Sequence, residues 1–177
     1  TQFIGTVPAI KLAAKISTKR RIGLLATKAT VEHPYNIDLK NHFAADCQLI
    51  LRADPKLISF IEKESFTSSE EECIKHIEPA VDFFKKNDCD TIILGCTHYP
   101  LLLDQIEKAV PIGVRVLTQG DIVAASLEDY LNRHPEIDIL CSRGGTIRFL
   151  TTESVVKFAS SASIFLNKPI IAEHITL

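Results

Sequence analysis

The stretch Thr91-Ile92-Ile93-Leu94-Gly95-Cys96-Thr97-His98-Tyr99-Pro100-Leu101-Leu102-Leu103 carries the signals from which the rest of the chain can be read. Thr91 to Leu94 is a short, mostly β-branched apolar run, which predicts a strand buried on both faces, as in parallel sheets. Asn87 and Asp88 turn the chain ahead of it. Pro100 suits the first turn of a helix that continues through Ile106 to about Val110. Cys96 therefore falls where a strand hands over to a helix, with Gly95 before it and His98 two residues on. Ligands of open α/β sheets collect beyond the carboxyl ends of strands, so this is where chemistry is expected.

Working outward, Arg21 to Ala26, Cys47 to Leu51 and Val114 to Leu117 are further apolar runs of strand length. Between them lie helical patterns. Thr27 to Thr30, with Glu32 behind, suit the start of a helix through Leu39. Pro55 opens a short helix holding Leu57, Ile58 and Ile61. The segment Ser65 to Glu72 then offers a serine or threonine cap with acids in the first turn of a helix to about Lys86. Its apolar positions Ile74, Ile77, Val81 and Phe84 recur at three and four residues, and Pro79 inside that pattern predicts a kink. Beyond Gly113 the pattern gives a helix from Asp121 to Leu131, a strand from Ile137 to Leu140, a turn at Gly144-Gly145 and a last helix from about Thr152 to Leu166. The alternation predicts an α/β fold, a mostly parallel sheet flanked by helices. Near Leu117 to Gly120 the chain leaves a compact unit, and the elements that follow supply too little sheet to close a second one.

Composition narrows the classes of function. Twenty basic against 22 acidic residues leave a net charge of -2, with no basic run interleaved with aromatics. That removes the electrostatic reason to expect nucleic acid or an anionic membrane as partner. No apolar segment approaches the roughly 20 residues of a bilayer span, and the opening residues lack a secretory pattern. The chain contains no methionine, so Thr1 is not expected to be the native start. Five cysteines, scattered and without a CxxC pair, read as reduced thiols in a cytoplasmic protein.

The chemistry-bearing candidates are few. Backbone N–H groups at the start of the Pro100 helix favour an anion near Cys96, either its own thiolate or a substrate carboxylate. His98 is placed to act as acid, base or partner to a carboxylate. Local spacing does not choose between this reactive pair and a structural cysteine beside a loop histidine. Thr27, Thr30 and His33 follow the first strand and can hold an anion. Gly120 follows the fourth strand, where it lets a ligand approach or simply makes a turn. Glu62, Glu64 and Glu70 to Glu72 read on their own as solvated face and helix capping. Arg143-Gly144-Gly145 is no phosphate loop, and the six histidines have no metal-binding spacing, so no structural or catalytic zinc is expected.

The octapeptide Leu94-Gly95-Cys96-Thr97-His98-Tyr99-Pro100-Leu101 resembles the second active-site cysteine motif of the aspartate/glutamate racemase family. Val7-Pro8-Ala9-Ile10-Lys11, Ala29-Thr30-Val31, Gly120-Asp121 and Phe149-Leu150-Thr151-Thr152 match further family segments in the same order. The resemblance implies two similar α/β domains with a cleft between them. It also implies interconversion of L- and D-glutamate for peptidoglycan synthesis without pyridoxal phosphate or metal. In that reading two cysteines face the substrate Cα from opposite sides, one thiolate removing the α proton while the other thiol supplies one. Cys96 corresponds to the second thiol, His98 to its assistant, and Thr97 and Thr30 to groups that line the substrate site. Gly120 falls in the segment after the fourth strand. The family's auxiliary glutamate falls on Glu62 or Glu64, and Glu62 is preferred because it directly follows an apolar pair.

The departures are as informative as the matches. The family's Asp-Ser-Gly, Pro-Tyr-Gly and first-cysteine Asn-Thr segments have no counterpart here, and its Ser-Gly after the fourth strand is Gln119-Gly120. Residues 6–116 are expected to be a complete racemase-type domain, and residues 117–177 the return segment of a first domain whose body lies outside the chain. The expected partner is a small amino acid, and association into a homodimer stays open. Two alternatives remain beside a glutamate racemase: an aspartate or other amino-acid racemase of the same fold, and a non-catalytic binding or interaction module.

Overall fold

The apolar runs align side by side. In the computed structural model, which describes residues 7–63 and 68–177, four strands form one sheet in the order β2-β1-β3-β4. They are β1 (Arg21–Ala26), β2 (Gln48–Ala53), β3 (Thr91–Leu94) and β4 (Arg115–Thr118). Every neighbouring pair is parallel, with Leu25 opposite Leu94 and Leu94 opposite Thr118. This is the expected α/β architecture. All four residues of β3 are buried, as a central parallel strand requires when helices cover both faces.

Alternation along the strands divides the core in two. Ile22, Leu24, Ala26 and Ile93 face α1 (Ile10–Ile16) and α3 (Tyr35–Phe43), through Ile10, Ala13, Ala14 and Leu39. Leu25, Ile92 and Leu94 face the other way, onto α4 (Pro55–Lys63), α5 (Glu70–Lys86) and α6 (Leu103–Ala109). Gly23 lies under the Phe84 ring, and a Cβ there would stand 2.5 Å from Phe84 Cδ1. The helix α5 begins with a capping box between Ser69 and Glu72 and runs on through Pro79 to Lys86.

Several expectations are corrected. The helix expected from Thr27 to Leu39 is two helices, α2 (Lys28–Glu32) and α3, because Pro34 cannot donate an N–H and disfavours helical backbone at His33. The helix expected at Pro100 opens as a 3-10 turn, Tyr99–Leu102, and becomes α-helical only at Leu103. Ile137 to Leu140 is not a strand: Pro135 starts a short helix, α8 (Pro135–Asp138), and Ile137 and Asp138 both bond back to the His134 carbonyl. Residues 64–67, which include Glu64 and the first of the expected capping residues, lie outside the described residues.

At the amino-terminal edge of the sheet, Asp90 ties the loop before β1 to the start of β3. Its carboxylate accepts from Ser17 Oγ at 2.6 Å, Thr18 N at 2.6 Å, Thr18 Oγ1 at 3.0 Å and Lys19 N at 2.7 Å. Burial opposes the charge, but these donors outweigh it and hold Asp90 below the usual carboxylate range.

The chain divides into two compact units, one ending at Glu128 and one running from Asp129 to Leu177; α7 (Gly120–Arg133) crosses that boundary. In the second unit β5 (Phe149–Thr151) and β6 (Ala172–His174) pair in parallel, with α9 (Val155–Phe165) between them in sequence. Both strands are too short to register as alternating patterns. A two-stranded sheet buries little on its own, and Ile147, Val156, Ile164, Leu166 and Ile171 are left exposed in this unit. Among the described residues, no helix is long and apolar enough to cross a membrane.

Candidate active site

The order β2-β1-β3-β4 reverses direction between β1 and β3, and the crevice beyond their carboxyl ends is where such sheets bind ligands. The register brings three candidate segments to that end. Leu25, Leu94 and Thr118 form one row across β1, β3 and β4. Two residues further along each strand stand Thr27, Cys96 and Gly120. Gly95 makes the exit possible, since its N–H bonds Leu25 O at 2.8 Å and a Cβ there would come within 2.7 Å of Leu24 Cδ1.

Cys96 is partly exposed, and its Sγ lies 3.6 Å from His98 Nδ1. The other imidazole nitrogen, Nε2, stands 3.3 Å from Glu62 Oε1. Thiol, imidazole and carboxylate thus form one line, with the carboxylate arriving from the end of α4. A neutral imidazole donates from one nitrogen and accepts at the other. A thiol proton passed to Nδ1 would leave hydrogen on both nitrogens, with the Glu62 carboxylate 3.3 Å from Nε2. This is the base-oriented-by-a-third-group arrangement that activates nucleophiles and proton-transfer groups. Of the two glutamates weighed from sequence, Glu62 stands beside His98, and Glu64 lies outside the described residues.

Burial pushes the Cys89 thiol up to about 11, and it raises Cys47 and Cys73 as well. Those three are buried in the core, and Cys141 is exposed. Thr97 is exposed in the turn between Cys96 and His98. Thr30 lies in the first turn of α2; its N–H bonds Thr27 Oγ1 at 3.2 Å, and the two hydroxyl oxygens are 2.9 Å apart. His33 bonds back to its own loop, its Nδ1 accepting from Tyr35 N at 3.2 Å. Gly120 is the first residue of α7, with open space where a Cβ would be. Among the described residues no group of three or more His, Cys, Asp or Glu side chains is arranged to hold a metal ion.

Sequence reading missed Tyr99. It is fully buried, and its hydroxyl lies 3.3 Å from both Ala26 O and Asp54 O. A tyrosine inside an apolar run was the available signal, because a buried phenol seeks a polar partner.

The family model described as Asp/Glu/Hydantoin racemase matches residues 3–127, well over half the chain and all of the sheet just described. The chain belongs to this racemase family. It is 35% identical over 153 residues to a glutamate racemase of Shewanella halifaxensis (strain HAW-EB4), a match covering 86% of this chain and 56% of that one. A Pectobacterium carotovorum glutamate racemase is 38% identical over 123 residues, covering 68% and 42% respectively. This racemase-family chain therefore spans about half the length of the curated relatives it matches. Among solved structures, glutamate racemase isoform RacE1 from Bacillus anthracis superposes with a TM-score of 0.83 at 27% identity, covering 95% of this chain and 62% of that one. The Escherichia coli glutamate racemase, solved with L-glutamate and an activator, shares the fold with a TM-score of 0.71 at 24% identity.

Proposed function

We propose that this chain carries one half of the active site of a glutamate racemase, an isomerase that moves a proton at the substrate Cα without a cofactor. The observation that carries the reading is the Cys96–His98–Glu62 line at the carboxyl end of β3. Cys96 serves one face of the Cα. As a thiolate it removes the α proton; as a thiol it donates one when the reaction runs the other way. His98 receives and returns the thiol proton, and Glu62 stabilises the imidazolium. The α-carboxylate must be well surrounded by donors for the carbanion to form. Thr97 and Thr30 supply hydroxyls for it, and Gly120 leaves room beside the row that Cys96 ends. The opposing thiol comes from sequence outside these 177 residues. In this reading residues 6–116 are one complete racemase-type domain, and residues 117–177 return to another. The exposed apolar side chains of the second unit, such as Ile147, Val156 and Ile171, support a covering domain there.

Circular dichroism of the purified chain with L-glutamate is the first test, with no turnover above a Cys96→Ala control as the expected result. The second uses a polypeptide that joins this chain to a domain bearing the first cysteine motif. There Cys96→Ser should lower kcat in both directions by at least about a hundredfold, because a hydroxyl does not ionise near neutrality. Cys141→Ala should leave kcat nearly unchanged. A Cys96→Ser variant retaining more than about a tenth of wild-type kcat would show that Cys96 is a structural cysteine.

A further inference from the structure

Glu62 and His98 meet although one ends a helix and the other sits in a turn after a different strand. Something must set the distance between them. Asp54 links β2 to α4 and is nearly buried. Its Oδ1 accepts from Leu57 N at 3.1 Å and its backbone oxygen from Ile58 N at 3.4 Å, so it caps the helix that delivers Glu62. Arg52 holds the other carboxylate oxygen at 3.3 Å and lies over the Phe83 ring. The same Asp54 carbonyl is 3.3 Å from the Tyr99 hydroxyl, and Tyr99 directly follows His98 in the chain. The hydroxyl's second partner, Ala26 O, closes β1 just before Thr27 caps α2.

We propose that Tyr99 is a positioning residue: its buried hydroxyl fastens the ends of β1 and β2 to the turn that follows Cys96, and so sets Glu62 opposite His98. One hydroxyl proton is shared between two carbonyls, Ala26 O at the end of β1 and Asp54 O just past β2, each 3.3 Å away. The phenol is in the core, pushed well above its ordinary pKa by burial and then by the nearby Cys96 and Asp54, so it stays a donor at every working pH. Its fixed O–H joins the three segments that carry Thr27 and Thr30, Glu62, and Cys96 with His98. The proposal rests on the preceding reading only in taking Cys96 as the reactive thiol.

The test follows Cys96 itself rather than turnover, so that failure of the racemase reading leaves it intact. In a Cys141→Ala background, the rate of Cys96 carboxamidomethylation by iodoacetamide is measured against pH by peptide mass spectrometry. The titratable groups tied to this thiol are His98 and, through it, Glu62; Tyr99 is near enough to feel the Cys96 charge and lies in turn beside Asp54 and Arg52. Tyr99→Phe keeps the ring and removes the donor. The expected result is an alkylation midpoint moved to higher pH, with the rate at neutrality about three- to tenfold lower. Glu62→Gln is expected to do the same, and the double variant to be no slower than either single one, because both changes break one link. A Tyr99→Phe profile that overlays wild type overturns the proposal, and so do two effects that multiply. If Tyr99→Phe does not fold, the wild-type chain decides by nuclear magnetic resonance. A slowly exchanging Tyr99 hydroxyl proton with Overhauser contacts to both Thr27 and Pro55 supports the assignment, and absence of that proton or of either contact overturns it.

Discussion

Asp90 and Cys96 lie six residues apart at opposite ends of one strand, and the sheet treats them differently. Asp90 is buried and accepts from Ser17, Thr18 and Lys19 at hydrogen-bond distances of 2.6 to 3.0 Å. Cys96 is partly exposed and reaches His98 at 3.6 Å, whose own carboxylate partner is half exposed. One end has spent its polar groups on the fold. The other gathers a thiol, an imidazole and a carboxylate in one line, above a tyrosine that is itself fully engaged. Strand β3 is thus anchored from below, and in the proposed reading its upper end carries the chemistry, which puts stability and reactivity on separate residues.

That division can be broken by exchange. Cys96→Ala, in a polypeptide supplying the opposing thiol, should lower racemisation by at least about a thousandfold, roughly 4 kcal/mol of barrier. Its urea midpoint should move little. Asp90→Ala should do the reverse. Stripping the carboxylate leaves the buried Ser17 hydroxyl and the part-buried Thr18 and Lys19 donors without their acceptor, at a cost of about 2 kcal/mol in unfolding free energy, while the alkylation rate of Cys96 in the folded fraction stays at the wild-type value. A large stability loss for Cys96→Ala, or a slowed Cys96 in Asp90→Ala, would show that the two ends are not separate.

Acid sharpens the same contrast. The folded-state pKa of Asp90 is depressed, so its contribution is fully present above the unfolded value of about 3.9 and is lost as pH falls through the lower folded value. The urea-midpoint gap between wild type and Asp90→Asn should therefore hold steady from neutrality to about pH 5 and narrow towards pH 2. A gap independent of pH would mean that the charge is not what the donors stabilise.

Gly95→Ala probes the junction between the two ends. The added Cβ would press on Leu24 Cδ1 and Ala26 Cβ, at 2.7 and 3.1 Å. A loss of about 1–2 kcal/mol is expected, together with a slower Cys96 as the turn is pushed off the sheet. The smallest effect belongs to Lys19→Ala. Its ion pair with Asp88 is short at 2.5 Å, but both side chains are more than half exposed, so thermal denaturation should shift by less than about 0.5 kcal/mol equivalent.

By itself the sequence determined the four strands of the larger sheet, the α/β class and the candidate segment around Cys96, because each is written in contiguous residues. Arg21 to Ala26 and Thr91 to Leu94 are apolar runs whose strand state follows from length and β-branching. Ser69 and Glu72 spell a capping box, and Cys96 and His98 are neighbours in the chain. The strand expected at Ile137 to Leu140 failed on local chemistry, where Pro135 favoured a helical turn. The short strands β5 and β6 were illegible because three residues cannot display a period of two. Tertiary structure alone decided the strand order, which brings Thr27 and Cys96 to one crevice, and the approach of Glu62 to His98 across 36 positions of chain. It alone showed that Tyr99 spans two strand ends. Those contacts depend on how helices pack across a sheet, and packing joins residues whose separation in sequence carries no local pattern.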